Sequence, residues 1–433
     1  MSPPADSRYT RARVQLEIAT HPILVEQLEE SVLDALGAAL ESHRHALGLN
    51  PNDANTLFNA SQVLAGIAEA VANDDLPQQA LGLLQEAIGM QNKCLEIQEA
   101  EYAETLDMER KAQDAASENG GDGLNEAQDS APAEAQDTGD ASDEQWATIV
   151  EPVTLDTLVD TALAQLSAMT TFSDVLSSNP DCAPASTLAE IDKHWSGLEQ
   201  KLAVLSEKVP ERPQEIALAR AKFLSALLEA GFRYGQIDGE TYSKGRDAAF
   251  GTAGSQSDSQ GSADAIIANT QSVLAFNAAV SDLQPADRQL ATLRWNALTG
   301  GIAGLGSAPS ARGLAAAHLL RGDASMALYA MGAPPTSHPS AAAQQPQLLR
   351  NAEVYYRNAA KLSRDTAERN TAAFRSHVAG TLLRRGEGGE GEPNVEAAGA
   401  IVTSASGGAG CAVEMLEEMM EEGGLLPPSL FPS

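Results

Sequence analysis

The sequence predicts an all-α protein, because of its composition and the spacing of its apolar residues. Of its 433 residues, 43% are hydrophobic but only 4% are aromatic, and Ala and Leu outnumber the β-branched residues. This mixture favours helices over sheets. We find no convincing alternation of apolar and polar residues with a period of two, the pattern of a half-buried strand. The apolar content is sufficient to bury a substantial core.

Helices separated by turns are expected along most of the chain. A first helical block covers residues 9–103, in which Pro51-Asn52-Asp53 separates two long helices and Asp53 caps the second. Gly-rich stretches at 251–261 and 386–391 are expected to be flexible breaks. Further helices are expected at 189–208, 213–232, 263–283, 287–299, 311–331, 347–385 and 411–422.

An acidic segment interrupts the helices. No Lys or Arg lies between Lys111 and Lys193, and residues 112–144 are mostly Ala, Asp, Glu, Gly, Ser and Gln. Such a segment buries too little apolar surface to offset the entropy of ordering, so it is predicted to be disordered. The predicted organisation is N-terminal helical hairpins (1–103), the acidic insert (104–145), a C-terminal helical-repeat region (146–385), and a Gly-rich linker, short helix and tail (386–433).

A recurring spacing of small and large residues indicates helical hairpins. Residues at i, i+4 and i+7 share one helical face, where small side chains let a second helix approach and a large one fills its groove. His43 lies at the large position of the first example, so we expect it to pack in the core. The residues that carry the pattern, with its turn and the following helix start, are Ala39, Ala46, Pro51, Leu57, Ala60, Ala80, Leu84, Ala87, Ala352, Tyr356 and Ala359.

With these residues the sequence resembles the tetratricopeptide family, clearly over about residues 35–95 and weakly elsewhere. The resemblance implies antiparallel helical hairpins stacked as an α-solenoid. The sequence departs from the family in its extra residues before Ala80, its lack of the bulky first-helix Trp, and its acidic insert, so divergent hairpins are expected. An acidic stretch interrupting such repeats is similar in charge placement to histone chaperones of the nuclear autoantigenic sperm protein type. Chaperones of basic ribosomal proteins offer a second analogy.

The strong negative charge restricts the partners that the chain can bind. The formal net charge is −32, which opposes direct binding to nucleic acid or to an anionic membrane. A protein partner rich in Lys and Arg would be attracted. Two alternatives are that the acidity only maintains solubility, and that the insert folds back onto the basic C-terminal half.

The cysteines and the N-terminus indicate an intracellular protein. Cys94, Cys182 and Cys411 are far apart and form no paired motif, as expected of reduced thiols. Residues 1–20 lack the apolar core of a signal peptide, and no apolar run approaches the roughly 20 residues of a membrane helix. We therefore expect a cytoplasmic or nuclear location, with no membrane contact.

The candidate binding residues are few. Asn59, which follows Asn55 on one helix, lies where some tetratricopeptide domains use an Asn to bind a C-terminal carboxylate. That clamp also needs cations, and the residues between Ala46 and Asn92 include none, so a surface role is preferred. Two roles are open for Tyr355 and Arg357. Either they contact a protein partner, or they lie in the core or on a solvent-exposed helix face, and the second role is favoured.

We predict no catalytic residue, cofactor site or metal site. His43 and His45 are two residues apart on a helix, so their side chains point in different directions and do not converge on an ion. Gly301, Gly304 and Gly306 do not match a nucleotide-binding loop, and a flexible interhelical turn is the preferred interpretation. We find no Gly-x-Ser-x-Gly, His-Glu-x-x-His or paired-cysteine motif.

The preferred hypothesis is a non-enzymatic, tetratricopeptide-like scaffold that binds a protein segment. It would act as an acidic chaperone or escort for a basic client, such as a ribosomal protein or histone. One alternative is an adaptor that bridges folded proteins, with the insert as a spacer. An enzyme whose motifs are not detected is the third possibility.

Overall fold

A computed structural model describes residues 13–18, 31–73, 76–118, 152–254, 262–386, 409–421 and 424–427. Within these ranges there is no β-strand, so the predicted all-α class is confirmed. Residues 13–18 are helical. The longer helices are α1 (Val32–Leu49), α2 (Ala54–Asn73), α3 (Pro77–Glu118), α4 (Leu155–Ser178), α5 (Ser186–Lys208), α6 (Pro213–Arg233), α7 (Gly239–Gly254), α8 (Ala263–Leu283), α9 (Arg288–Ser307), α10 (Ala315–Ala330), α11 (Pro339–Leu362), α12 (Thr366–Gly386) and α13 (Ala409–Glu421).

The chain divides into two compact units. One comprises residues 1–64 and 86–165, and the other comprises residues 65–85 and 166–433. The organisation predicted from the sequence, with boundaries at residues 103 and 145, stays a prediction. The helix expected to end at residue 103 continues to Glu118, because α3 is one helix of 42 residues. The remainder of the predicted acidic insert, residues 119–145, lies outside the described residues.

In the first unit, the predicted turn between α1 and α2 is confirmed. Helix α1 ends at Leu49, and the side chain of Asp53 accepts a hydrogen bond of 2.7 Å from the backbone N–H of Thr56, as an N-cap does. The Cys94 thiol on α3 donates to the carbonyl oxygen of Ala54 over 3.2 Å. Burial raises the pKa of Cys94 to about 11, so this cysteine is a protonated, packed thiol, and Cys182 is also unpaired.

The residues of the repeat pattern are buried, with one exception. Pro51 is exposed because it lies in the turn. The other ten, all at most 7% exposed, are Ala39, Ala46, Leu57, Ala60, Ala80, Leu84, Ala87, Ala352, Tyr356 and Ala359. These ten positions therefore lie on buried faces of their helices.

His43 is fully buried, as the packing interpretation required. Neither ring nitrogen has a hydrogen-bond partner among the protein atoms. Burial lowers the pKa of His43 below its usual value of about 6.5, because the charged ring would lose its hydration. The folded protein therefore holds this imidazole in its neutral form.

We predict that His43 makes the protein less stable as the pH falls. The unfolded chain binds a proton at the ordinary His pKa, whereas the folded chain resists it. Stability is therefore lost as the pH falls from about 7 through 6.5 towards the lower pKa of the folded state. Urea unfolding at pH 5 and 7.5 should show a smaller loss for His43→Leu than for the wild type. His45→Leu, at an exposed position two residues along, is the control and should retain the wild-type loss.

In the second unit, helices that are consecutive in the sequence pack against each other. The main pairs are α6 with α7, α8 with α9, and α11 with both α10 and α12. Since short connections join them, the members of each pair run in opposite directions. One core cluster of this unit contains Leu298, Met326 and Tyr356, together with Leu416 and Met419 of α13. Helix α13 thus packs on the chain's own core.

A buried ion pair joins several helices of this unit. The Arg375 guanidinium of α12 lies 2.9 Å from the Asp323 carboxylate of α10, and the Tyr356 hydroxyl of α11 donates to the same oxygen over 2.8 Å. Arg375 also lies 3.5 Å from Glu418 of α13. Gly322 allows this arrangement, because a Cβ atom there would lie 2.5 Å from the Tyr356 ring. The two charges stabilise the fold together, because removal of either one leaves the other buried without its 2.9 Å partner.

We predict a large loss of stability when this pair is broken. Asp323→Ala removes the carboxylate that lies 2.9 Å from the buried Arg375 charge and should lower the free energy of unfolding by about 3–5 kcal/mol. The exposed pair of Arg357 with Glu353 is the control, and Arg357→Ala should change it by less than about 1 kcal/mol. Equal losses in denaturant unfolding would show that the buried network does not hold these helices together.

Several expected breaks and boundaries are wrong. Gly301, Gly304 and Gly306 do not form a turn, because they lie inside α9. Gly301 faces Thr270 of α8 at a distance where a Cβ atom would be crowded. The helix expected at 347–385 is two helices, separated at residues 363–365. The first of these two helices, α11, begins earlier than expected, at Pro339, and includes Pro346. Helix α7 was not predicted. Residues 255–261 and 387–391 lie outside the described residues.

Candidate binding site

An apolar groove lies between α5, α6 and α7. Its volume is about 670 Å³, and it is open to solvent along part of its surface. A pocket of this size, lined mainly by hydrophobic side chains with few polar groups, is typical of a binding site. The residues lining it are Leu188, Ala189, Asp192, Arg220, Leu224, Leu227, Leu228, Gly231, Gln236, Ile237, Gly245, Ala248 and Ala249.

Small residues shape the groove. A Cβ atom at Gly245 of α7 would lie 2.8 Å from the Leu228 side chain of α6, so a larger residue there would force that side chain to move. Ala248 and Ala249 continue the same wall with small side chains. On α6, Leu224 and Leu227 are only half-buried, which leaves part of their apolar surface accessible. The groove therefore offers apolar contact area without any local unfolding.

Two charged side chains line the groove and differ in their surroundings. Arg220 lies 2.5 Å from the Glu199 carboxylate and stacks over Trp195, with 5.7 Å between the guanidinium carbon and the ring centroid. This Arg is thus neutralised by the chain itself. Asp192 is exposed and has no ion-pair partner among the described residues. The groove can therefore receive apolar groups together with a cation.

A second group of ionisable residues lies elsewhere in the same unit. The surrounding protein raises the pKa of Asp174 on α4 to about 7 by desolvation, with a further contribution from the Glu229 carboxylate of α6, although Asp174 is exposed by its accessible surface. Burial also raises the pKa of Glu229, which pairs with Arg233 at 3.0 Å. Arg233 in turn contacts Asp282 at 3.0 Å. The Asp174 carboxyl can accordingly exchange a proton near neutral pH.

This carboxyl group would be the starting point for the enzyme alternative. General acid–base catalysis uses groups that titrate near the working pH. In the part of the chain that the structure describes, no three His, Cys, Asp or Glu side chains are arranged to hold a metal ion. Asp174 was not singled out from the sequence, because its neighbour Glu229 is 55 positions away and nothing local indicates the proximity.

The residues predicted to bind a partner do not come together at the groove. Asn55 is exposed and Asn59 is half-buried on α2, whereas the groove is built from residues 188–249. Arg357 is exposed and pairs with Glu353 one turn earlier on α11. Tyr355 is half-buried, and its hydroxyl accepts a hydrogen bond of 2.7 Å from Arg321 of α10. Whether these four residues contact a partner stays a prediction.

No protein-family model matches the sequence, and no curated protein matches it either. Among the described residues, no helix combines the length and apolar character needed to cross a membrane.

We predict that Asp174 makes the protein less stable as the pH rises. Its folded-state pKa of about 7 lies above the ordinary Asp value of about 3.9, so the folded protein binds this proton more tightly. Stability from this group is present at low pH and is lost between about pH 4 and pH 7. Asp174→Asn should therefore lose less stability than the wild type between pH 5 and pH 8 in urea unfolding. Asp156→Asn, on the same helix, is the control and should keep the wild-type profile.

Proposed function

We propose that the protein is a non-enzymatic, tetratricopeptide-like scaffold that acts as an acidic chaperone or escort for a Lys/Arg-rich protein. The observation that carries the proposal is the open, leucine-lined groove between α5, α6 and α7, which is also lined by the exposed Asp192. The packed pairs of consecutive helices support the hairpin architecture. A ribosomal protein or a histone is the kind of basic client that the charge favours.

The groove suits a short segment of a protein partner. The exposed parts of Leu224 and Leu227 would be covered by apolar side chains of that segment, and burial of apolar surface contributes about 25 cal/mol per Å². Asp192 would then pair with a Lys or Arg of the same segment. A segment that alternates basic and apolar residues would satisfy both requirements, whereas a purely charged segment would leave the leucines uncovered.

The acidity of the whole chain would increase the rate of encounter with such a client. The sequence has 60 acidic and 28 basic residues, and residues 119–145 contain eight acidic residues without any Lys or Arg. Long-range attraction of this kind raises association rates and weakens as salt is added. In this proposal the charge governs encounter, and the groove selects the segment that stays bound.

The adaptor alternative makes a different prediction about charge. If residues 119–145 were only a spacer between two binding regions, their length would matter and their charge would not. Replacing the eight acidic side chains by Asn and Gln keeps the length and changes the net charge from −32 to −24. This replacement also leaves α3 intact, because that helix ends at Glu118.

We predict that a charge placed in the groove prevents client binding. Leu227→Lys would introduce an ammonium group among the leucines, where it would repel a basic segment and lose hydration. Its affinity for purified histones or ribosomal proteins should fall by about tenfold or more. Val204→Lys is the matched control, since Val204 is 49% exposed on α5 and does not line the groove.

The same binding assay, repeated across salt concentrations, tests both parts of the proposal. The variant with Asn and Gln in residues 119–145 should associate more slowly, with a weaker salt dependence than the wild type. Unchanged salt dependence would favour the spacer of the adaptor alternative. Equal affinity of Leu227→Lys and Val204→Lys, with both variants folded, would exclude the groove as the binding site.

A further inference from the structure

A cluster of cationic and polar side chains surrounds the C-terminal end of α9. Arg312, in the loop after α9, donates from Nε to the carbonyl oxygen of Gly306 over 2.8 Å. Arg321 of α10 lies beside the same glycine, because a Cβ atom built on Gly306 would be 3.3 Å from Nη2 of Arg321. The same Nη2 donates to the Tyr355 hydroxyl of α11 over 2.7 Å. Two guanidinium groups thus converge on one residue.

The two positive charges are not neutralised by nearby acids. In the described part of the chain, no carboxylate lies within 4.0 Å of either guanidinium, and the partners of Arg312 and Arg321 are carbonyl and hydroxyl oxygens. Other arginines of this unit, such as Arg233 and Arg375, do have carboxylate partners. In a chain with 60 acidic residues, such a pair of unneutralised arginines leaves a local excess of positive charge.

The surrounding side chains fix the position of this cluster. The Arg321 guanidinium stacks on the Tyr355 ring, with 4.1 Å from its central carbon to the ring centroid. Stacking and hydrogen bonding together restrict the guanidinium to one orientation. The His318 ring lies 6.4 Å from that of Tyr355, and its Nε2 donates to the carbonyl oxygen of Arg312 over 3.1 Å. Its Nδ1 is buried and has no partner.

We propose that Arg312, Arg321 and Tyr355 form a binding site for a phosphoryl group. Two guanidinium groups from different elements supply two positive charges. They therefore match a dianionic phosphate group better than they match a carboxylate, which carries one negative charge. The Tyr355 hydroxyl, which accepts from Arg321, still has its own proton to donate. Arg312 is exposed and Arg321 is half-buried, so a ligand can reach both from solvent.

The source of the phosphoryl group is either free phosphate or a phosphorylated side chain of a partner protein. Both have the same oxygen atoms and charge, and they differ in what is attached to the fourth oxygen. A surface site formed by the loop after α9 together with α10 and α11 can accept either one. Affinity for a phosphoserine peptide well above that for inorganic phosphate would identify the partner as a phosphoprotein, and equal affinities would identify the free ion.

Titration of the full chain with inorganic phosphate, a phosphoserine peptide or acetate, followed by NMR, tests the site. Phosphate should bind about tenfold more tightly than acetate, and Arg321→Gln or Arg312→Gln should each weaken phosphate binding by about tenfold. Tyr355→Phe removes only the hydroxyl and should cause a smaller loss. Arg364→Gln, an equal change of charge at an exposed position after α11, is the control and should bind phosphate as the wild type does.

The pKa of His318 provides a second measurement that a purely structural role would not change. Burial lowers the pKa of His318, and the nearby Arg321 charge lowers it further. A phosphate dianion beside Arg312, Arg321 and Tyr355 would favour the protonated ring, so the pKa should rise when phosphate is added. No rise, or an equal loss of binding in Arg364→Gln and Arg321→Gln, would overturn the proposal. Leu227→Lys should leave phosphate binding unchanged, which separates this site from the groove.

Discussion

The buried pair of Asp323 and Arg375 is the constraint on which the arrangement of α10, α11 and α12 depends. A charge removed from water is tolerated only beside its partner, so the two helices that carry these residues can pack in few other ways. The Tyr356 hydroxyl adds the intervening α11 to the same carboxylate oxygen. Gly322 completes the arrangement, because any side chain there would displace the Tyr356 ring. One residue of the repeat pattern, Tyr356, therefore has a polar role as well as a packing role.

This constraint also affects the charge that remains at the surface. The most buried cations, Arg246, Arg294 and Arg375, are held by polar partners inside the unit, so they add little attraction for anions outside. Among the described acidic residues only Asp323 is buried, so the others keep contact with solvent. A leucine-lined groove within such a surface would select for segments that are both basic and apolar. Neither property alone would be sufficient for this selection.

The sequence predicted the features that depend on neighbours within one helix. The spacing of Ala39, His43 and Ala46 identified a buried face, since side chains at i, i+4 and i+7 lie on the same side. Features that depend on a second helix were not predicted. Tyr355 and Arg321 are 34 positions apart, so nothing local indicated their contact. Gly301 was misread for the same reason, because its missing side chain makes room for α8 and does not break α9.

A binding site for a phosphoryl group is compatible with a net charge of −32, because the two effects act over different distances. At physiological ionic strength, charges more than about 8 Å apart are largely screened from each other by salt. The acidic residues along the rest of the chain therefore act mainly as a diffuse repulsion that slows the approach of an anion. Hydrogen bonds from Arg312 and Arg321 act at contact distance, where screening is small. Affinity for phosphate would thus follow the local pair of arginines, while the rate of its arrival would follow the charge of the whole protein.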